Sequence, residues 1–385
     1  MWRFAALLAL CGCDIVFHID AISGSQPLID AASPIGDVIV PTDGGGCTDG
    51  TLVGDYGVQG NGLLQVCVPS GAGAVILMSP IDTSACASFI ALGNGRAACL
   101  IVGDTVSIVA TTKVNGPNAL VIAARASITI TPTAVIDLTG SDKGPGPGGD
   151  EPNCDSGPGT DDTVKGGTGG AGASWQTSGG GGGMNATAAG GHQNAASTLT
   201  AIRGGCKGGH GGAGSGAAGP AGHGGGAIYL VAPTVAMMGK INASGGGGAP
   251  GKHHAMAAGG GGGGGSGGLI AIDAMHPTFT GQLWANGGGG GGGGAAGGTT
   301  PSDGDPGLAS SDPTTRALGG SGGLGTQDGG AGGNGALLVE NGETAGMVGG
   351  GAGAGGGGGG QGYIVFYTTE TTMGSGTSSP TAHYE

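Results

Sequence analysis

The sequence has little of what most folded chains use to build a core or to recognise a partner. Aromatic residues make up 3% and charged residues 9% of the chain. Positive charge is scarcest, with 11 Lys and Arg against 25 Asp and Glu and a formal net charge of −14. Binding to nucleic acid needs a basic surface that displaces counterions from phosphate, so that partner class is excluded. No apolar run reaches the roughly eighteen residues of a membrane-crossing helix. Wholesale disorder is disfavoured too, because it goes with high net charge and low hydrophobicity, and 37% of these residues are hydrophobic.

Glycine is what the chain has instead. It holds 102 glycines in 385 residues, and 82 of them lie between Gly140 and Gly360. Collagen would need a strict Gly-X-Y period with abundant proline. Here the runs are uninterrupted, as in Gly259 to Gly265 and Gly287 to Gly294, and collagen is excluded. A flexible Gly/Ser linker would suit the runs alone. It does not account for the apolar segments set between them.

The N-terminus reads as an address. "MWRFAALLALCGC" has one cation, Arg3, then an apolar stretch from Phe4 to Leu10, then small residues. That order is the pattern of a secretory signal, too short to span a bilayer. Leu10-Cys11-Gly12-Cys13 resembles a bacterial lipobox, which implies cleavage before Cys13 and lipid on it. An ordinary secretory signal is the alternative. The cysteines fit export. Of eight, at 11, 13, 47, 67, 86, 99, 154 and 206, cleavage removes one and lipid takes another. The remaining six suit an oxidising compartment and allow about fifteen disulfide pairings. Pairing of neighbours is favoured: Cys47 with Cys67, Cys86 with Cys99, and Cys154 with Cys206. No Cys-x-x-Cys spacing points to a metal, and no cofactor is expected.

Strand signals follow. Ile128 and Ile130 alternate with Thr129 and Thr131, and Ile136 and Leu138 with Asp137 and Thr139, which places each apolar set on one face. Internal comparison is more informative. "AIYLVAPTVAMMGKINASGGGG" from Ala227 aligns without a gap on "LIAIDAMHPTFTGQLWANGGGG" from Leu269, 42 residues later. An earlier copy from Ala119 fits with three extra residues, and "ALLVE" from Ala336 and "GYIVFY" from Gly362 read as worn final copies. One unit cannot bury its apolar face alone, so neighbours must stack. The fold expected is mostly β: stacked β-solenoid units, like a parallel β-helix, with glycine-rich insertions along one side. Those insertions can pack as polyglycine-II rods that exchange backbone hydrogen bonds. Mobile loops are the open alternative. The domains expected are a signal peptide 1–12, a lipid-anchored linker 13–46, a disulfide-linked β region with the first unit 47–140, a glycine-rich insertion 141–226, repeated units 227–367 and a polar tail 368–385.

Motifs for chemistry are weak. "GGGAPGKH" from Gly246 to His253 has the outline of a phosphate loop but lacks the Ser or Thr and the helix that such a loop needs. His192, His210, His223, His253 and His254 lie among glycines without a ligand spacing. The acidic pairs Asp150-Glu151, Asp161-Asp162 and Asp303 with Asp305 form no calcium-type tandem. Tyr229, Trp284, Tyr363 and Phe366 fall within strand segments, where packing is their ordinary role. No catalytic residues and no enzyme activity are expected.

The lipobox-like start, the "GCDIVFHID" around Cys13, the Cys-rich front, "RGGCKGG" at Arg203 to Gly209 and "GGGAIYLVAPTVAMMGKINASGGGG" together resemble the glycine-rich predicted lipoproteins and surface proteins of myxobacterial type. The resemblance implies an exported, surface-attached β protein and no catalytic residues. The function expected is that of a non-enzymatic cell-envelope lipoprotein, a structural or adhesive scaffold at the outer membrane or cell surface. Its partners would be the membrane, through the lipid on Cys13, and extracellular polysaccharide or other envelope components. The alternative is a carbohydrate-binding or carbohydrate-cleaving β-solenoid.

Overall fold

The structure, a computed structural model, describes residues 47, 49–58, 62–92, 95–141, 143–152, 154, 156–346, 351–371 and 373–385. Cys13 and the linker 13–46 lie outside the described residues. Among those described, the regular elements are all strands, and none is helical.

The internal repeat is the strand register. Strands Ala227–Val231, Thr234–Met237 and Lys240–Asn242 pair in parallel with Leu269–Asp273, His276–Phe279 and Gln282–Trp284. The partners Ala227↔Leu269, Thr234↔His276 and Lys240↔Gln282 all keep the 42-residue offset of the sequence alignment. The earlier copy pairs Leu120 with Ile228, Ile128 with Val235 and Ile136 with Ile241, so its offset shrinks from 108 to 107 to 105. That drop of three is the three extra residues. The strand Ala119–Ile130 is continuous where the later copies break at Pro233 and near Met275. The strand Ala97–Ile108 extends the stack on one side, and Tyr363–Tyr367 extends it on the other.

Alternation then sorts the side chains. Ile122, Ile128, Ile136, Leu230, Val235, Ile241, Ile272, Phe279, Leu283 and Phe366 meet in one buried cluster. The intervening residues Val121, Tyr229, Val231, Ala271, Val365 and Tyr367 point to the other face and are buried as well. They are covered by Val53, Val66 and Val68 of the antiparallel pair Gly50–Val53 and Val66–Pro69, and by Trp175 and Ile202 from the glycine-rich part. This double cover is why "AIYLV" and "LIAID" are apolar at almost every position.

Two expectations are corrected. "ALLVE" is not a strand copy: Ala336 and Leu337 turn through left-handed backbone at φ 53° and 34°, and Leu338 is 69% exposed. Its apolar residues have no neighbouring strand to stack on. Residues 368–385 are not a tail. Thr377–Ser379 pairs in parallel with Gln282–Trp284, and His383–Tyr384 with Tyr363–Tyr367, so the C-terminus forms a last layer over the stack. Met373 and Ala382 close the apolar cluster there. A count of polar residues hides that role, because a capping layer needs one apolar side only.

Candidate functional surface

The glycine-rich segments leave the strand stack and run beside it. Their order is carried mainly by the backbone. Consider 259–268. Gly259, Gly262, Gly265 and Gly268 donate to the carbonyls of Lys252, Ala249, Gly246 and Ala243. Gly260, Gly263 and Ser266 donate to Gly212, Gly209 and Cys206, and Gly261, Gly264 and Gly267 donate to Ala354, Gly357 and Gly360. The carbonyls of the same segment accept from Gly219, Gly222 and Gly225, from Gly170 and Ala173, and from Gly288, Gly291 and Gly294. All of these bonds measure 2.7 to 3.1 Å. The pattern has a period of three, and each position in the period faces a different neighbour. The segment is therefore ringed by six others, three receiving its amides and three supplying its carbonyls. The segments 288–294 and 353–360 are bonded in the same threefold way.

At most positions such packing leaves no room for a side chain; Ser266 and Ala354 are small, fully buried exceptions. A methyl at Gly263 would overlap the carbonyl of Ala171, one at Gly267 that of Ala285, and one at Gly292 that of Ser321. Each lies well inside the 3.0 Å that real Cβ contacts do not breach. Larger side chains return in the adjacent segments that have fewer neighbours. In 216–225 the inward donors are Gly216, Gly219, Gly222 and Gly225; in 246–252 they are Gly246, Gly248, Ala249, Gly251 and Lys252; in 302–308 they are Ser302, Gly304, Asp305, Gly307 and Leu308. Pro220, Pro250 and Pro306 take the leftover third position in these adjacent segments. Proline has no amide hydrogen to leave unpaired there, and its fixed φ suits the extended chain. Pro220 and Pro306 are exposed and Pro250 half-buried.

The sequence-derived candidates fall as follows. Cys47 and Cys67, Cys86 and Cys99, and Cys154 and Cys206 are joined in those pairs, with Cα separations of 5.6, 5.6 and 5.4 Å. In "GGGAPGKH" the amides of Gly246, Gly248, Ala249, Gly251 and Lys252 are spent on protein carbonyls and that of His253 on the Asp303 carboxylate. His223 Nδ1 contacts Asp150, whose other oxygen accepts the Gly224 amide at 2.8 Å. His253 and Lys252 both bind Asp303, at 2.7 and 2.9 Å. Partial burial opposes ionisation of Asp303, but bonds from the His253 amide, Lys252 and the His253 ring outweigh it and bring the carboxyl down to about 2. His192 and His210 are exposed, and His254 bridges to Ala296. Among the described residues no three metal-ligating side chains converge. Asp161 accepts the Ala213 amide from a distant segment at 2.7 Å, and Asp162 closes a turn by accepting those of Val164 and Lys165 at 2.9 and 2.8 Å. Glu151 pairs with Arg96 and Arg203, at 3.1 and 3.5 Å, and Asp305 serves through its backbone. The aromatics are packing partners. Tyr363 lies edge-on to Trp175 at 5.3 Å, Phe366 meets Phe279 at 5.6 Å, and Trp284 is buried.

One buried acid escaped sequence reading. Asp273 ends "LIAID" and is fully buried. Its oxygens accept the amides of Asp55 and Tyr56 at 2.8 and 2.9 Å and the Tyr229 hydroxyl at 2.5 Å. Burial raises its pKa despite these bonds, and burial beside that charge holds the Tyr229 phenol well above its ordinary value. Asp273 thus clamps the front segment onto the sheet. A charge closing an otherwise apolar strand was the available signal.

No family model matches the chain, and no curated protein or solved structure matches it either.

Proposed function

We propose that this protein is an exported, non-enzymatic scaffold of the cell envelope, tethered by lipid on Cys13 and acting structurally or in adhesion. In this reading the parallel strands are coils of a β-solenoid, and the glycine segments are polyglycine-II rods bundled against it. The observation that carries the reading is the six-neighbour bonding of 259–268, which turns glycine-rich chain into a rigid body without aromatic or charged residues. Three bridged cysteine pairs fit an oxidising compartment. The resemblance to glycine-rich lipoproteins of myxobacterial type supports the same address.

The test is protease treatment of intact cells, with metabolic labelling of lipid on the parent chain and on Cys13→Ser. Surface display predicts cleavage on intact cells and loss of lipid label in Cys13→Ser. Survival until the envelope is broken would remove the surface role. A panel of polysaccharides checks the non-enzymatic part: product formation abolished by one Asp or Glu substitution would replace the scaffold with a glycan-cleaving protein.

A further inference from the structure

The Cys154–Cys206 bridge has a chemical neighbour that nothing in the scaffold role requires. Arg203 stacks on Trp175, its guanidinium carbon 4.3 Å from the ring centroid. Its Nη1 lies 3.4 Å from Cys206 Sγ and 3.7 Å from Cys154 Sγ. The Arg203 side chain is 12% exposed, so water screens its charge weakly. The two cysteine residues differ in exposure: Cys206 is 1% exposed, whereas Cys154 is half-buried. Cys86 Sγ instead lies 3.7 Å from a carbonyl, that of Asp82, which would repel a thiolate.

We propose that the Cys154–Cys206 bridge is a thiol-exchange site that accepts a small thiol onto Cys154. The incoming thiolate attacks Cys154 Sγ, the sulfur of the more exposed cysteine. A new bond forms between the incoming sulfur and Cys154 as the old sulfur–sulfur bond breaks. The electron pair of that bond leaves on Cys206 Sγ, which becomes a thiolate and accepts a hydrogen bond from Arg203 Nη1. A cation beside a leaving thiol lowers its pKa and speeds its departure. Arg203 is a positioning residue here, since it acts on the leaving group and carries no bond change itself. The local backbone survives the exchange. Asp150 donates to Gly205 at 2.8 Å and Ser156 to Lys207 at 3.1 Å, which holds both chains together on either side of the bridge.

The experiment is exchange of the oxidised protein with reduced glutathione, quenched by alkylation and mapped by mass spectrometry. The expected result on the unaltered chain is that this bridge opens before the other two, with glutathione on Cys154 and the alkyl label on Cys206. Arg203→Met should slow the opening roughly fivefold, and Arg203→Lys should keep it within about twofold of the parent. Glutathione on Cys206, earlier opening of Cys86–Cys99, or an unchanged rate in Arg203→Met would each overturn the proposal. The site of the adduct on the parent chain decides the matter even if a substitution prevents folding.

Discussion

The strand stack and the glycine bundle solve one problem in opposite ways. Both must pair every buried amide and carbonyl. A strand such as Ala227–Val231 bonds to two neighbours in a plane and leaves two faces for side chains, which here fill two apolar clusters. A glycine segment such as 259–268 bonds in all directions around its axis and leaves no face at all. The stack is therefore held largely by side-chain burial and the bundle by backbone bonding and close contact. The difference teaches that glycine, costly in a strand or helix because it loses so much freedom, becomes the dominant residue once bonding turns radial, with small side chains such as Ser266 and Ala354 fitted among the glycines.

Substitutions can break this comparison or sharpen it. The largest effect is expected from Gly263→Ala, because backbone on all sides leaves the methyl no escape. It should destabilise the protein by about 4 kcal/mol or more, read by denaturant unfolding. The matching lesion in the stack is Ile128→Ala, fully buried in the first cluster. It should lose about 3 kcal/mol, through lost burial and a cavity. Asp273→Ala comes next. It leaves the Asp55 and Tyr56 amides without their acceptor, while the Tyr229 hydroxyl keeps the Leu64 carbonyl at 3.1 Å, for a loss of about 2 kcal/mol and faster exchange across 54–57. Its pH dependence has a definite sign. The folded pKa is raised, so the folded state holds the proton more tightly, and stability contributed by this group falls as pH rises above the unfolded value of 3.8.

The smaller effects lie at the rim. Asp303 has the opposite sign, with a folded pKa of about 2 against 3.8. Its contribution is present above pH 3.8 and fades as pH falls through about 2, so parent and Asp303→Asn should converge in acid and differ near neutrality. Gly181→Ala should change stability by no more than about 0.5 kcal/mol, since its methyl would meet nothing nearer than Gln193 Oε1 at 3.3 Å and Asn341 Oδ1 at 3.5 Å. A large loss at Gly181 together with a small one at Gly263 would reverse the inside and outside assigned to the bundle.

Much of this was legible in the sequence wherever side chains specify position. The 42-residue match between Ala227 and Leu269 is the hydrogen-bond register itself, since stacking like on like fills both clusters. The neighbouring cysteines are likewise those the structure joins. The glycine runs marked where the chain leaves the stack, but their neighbours could not be read from them. A run such as Gly287 to Gly294 carries no side chain to say which segment it meets. Only the exceptions inform: Pro220, Pro250 and Pro306 each sit where an amide would have found no acceptor. Asp273 and the strand Thr377–Ser379 of the capping layer were missed for the same reason, because their partners come from segments more than ninety residues distant at Thr377 and over two hundred at Asp55.

The most direct measurement is hydrogen exchange, followed by mass spectrometry, over the peptide from Trp284 to Gly298. The amides of Gly288 to Gly294 donate to carbonyls in several surrounding segments and should exchange as slowly as those of Leu269–Asp273. Exchange at the rate of free peptide, with the flanking strands still protected, would contradict the bundle and leave the glycines as spacers on a β core.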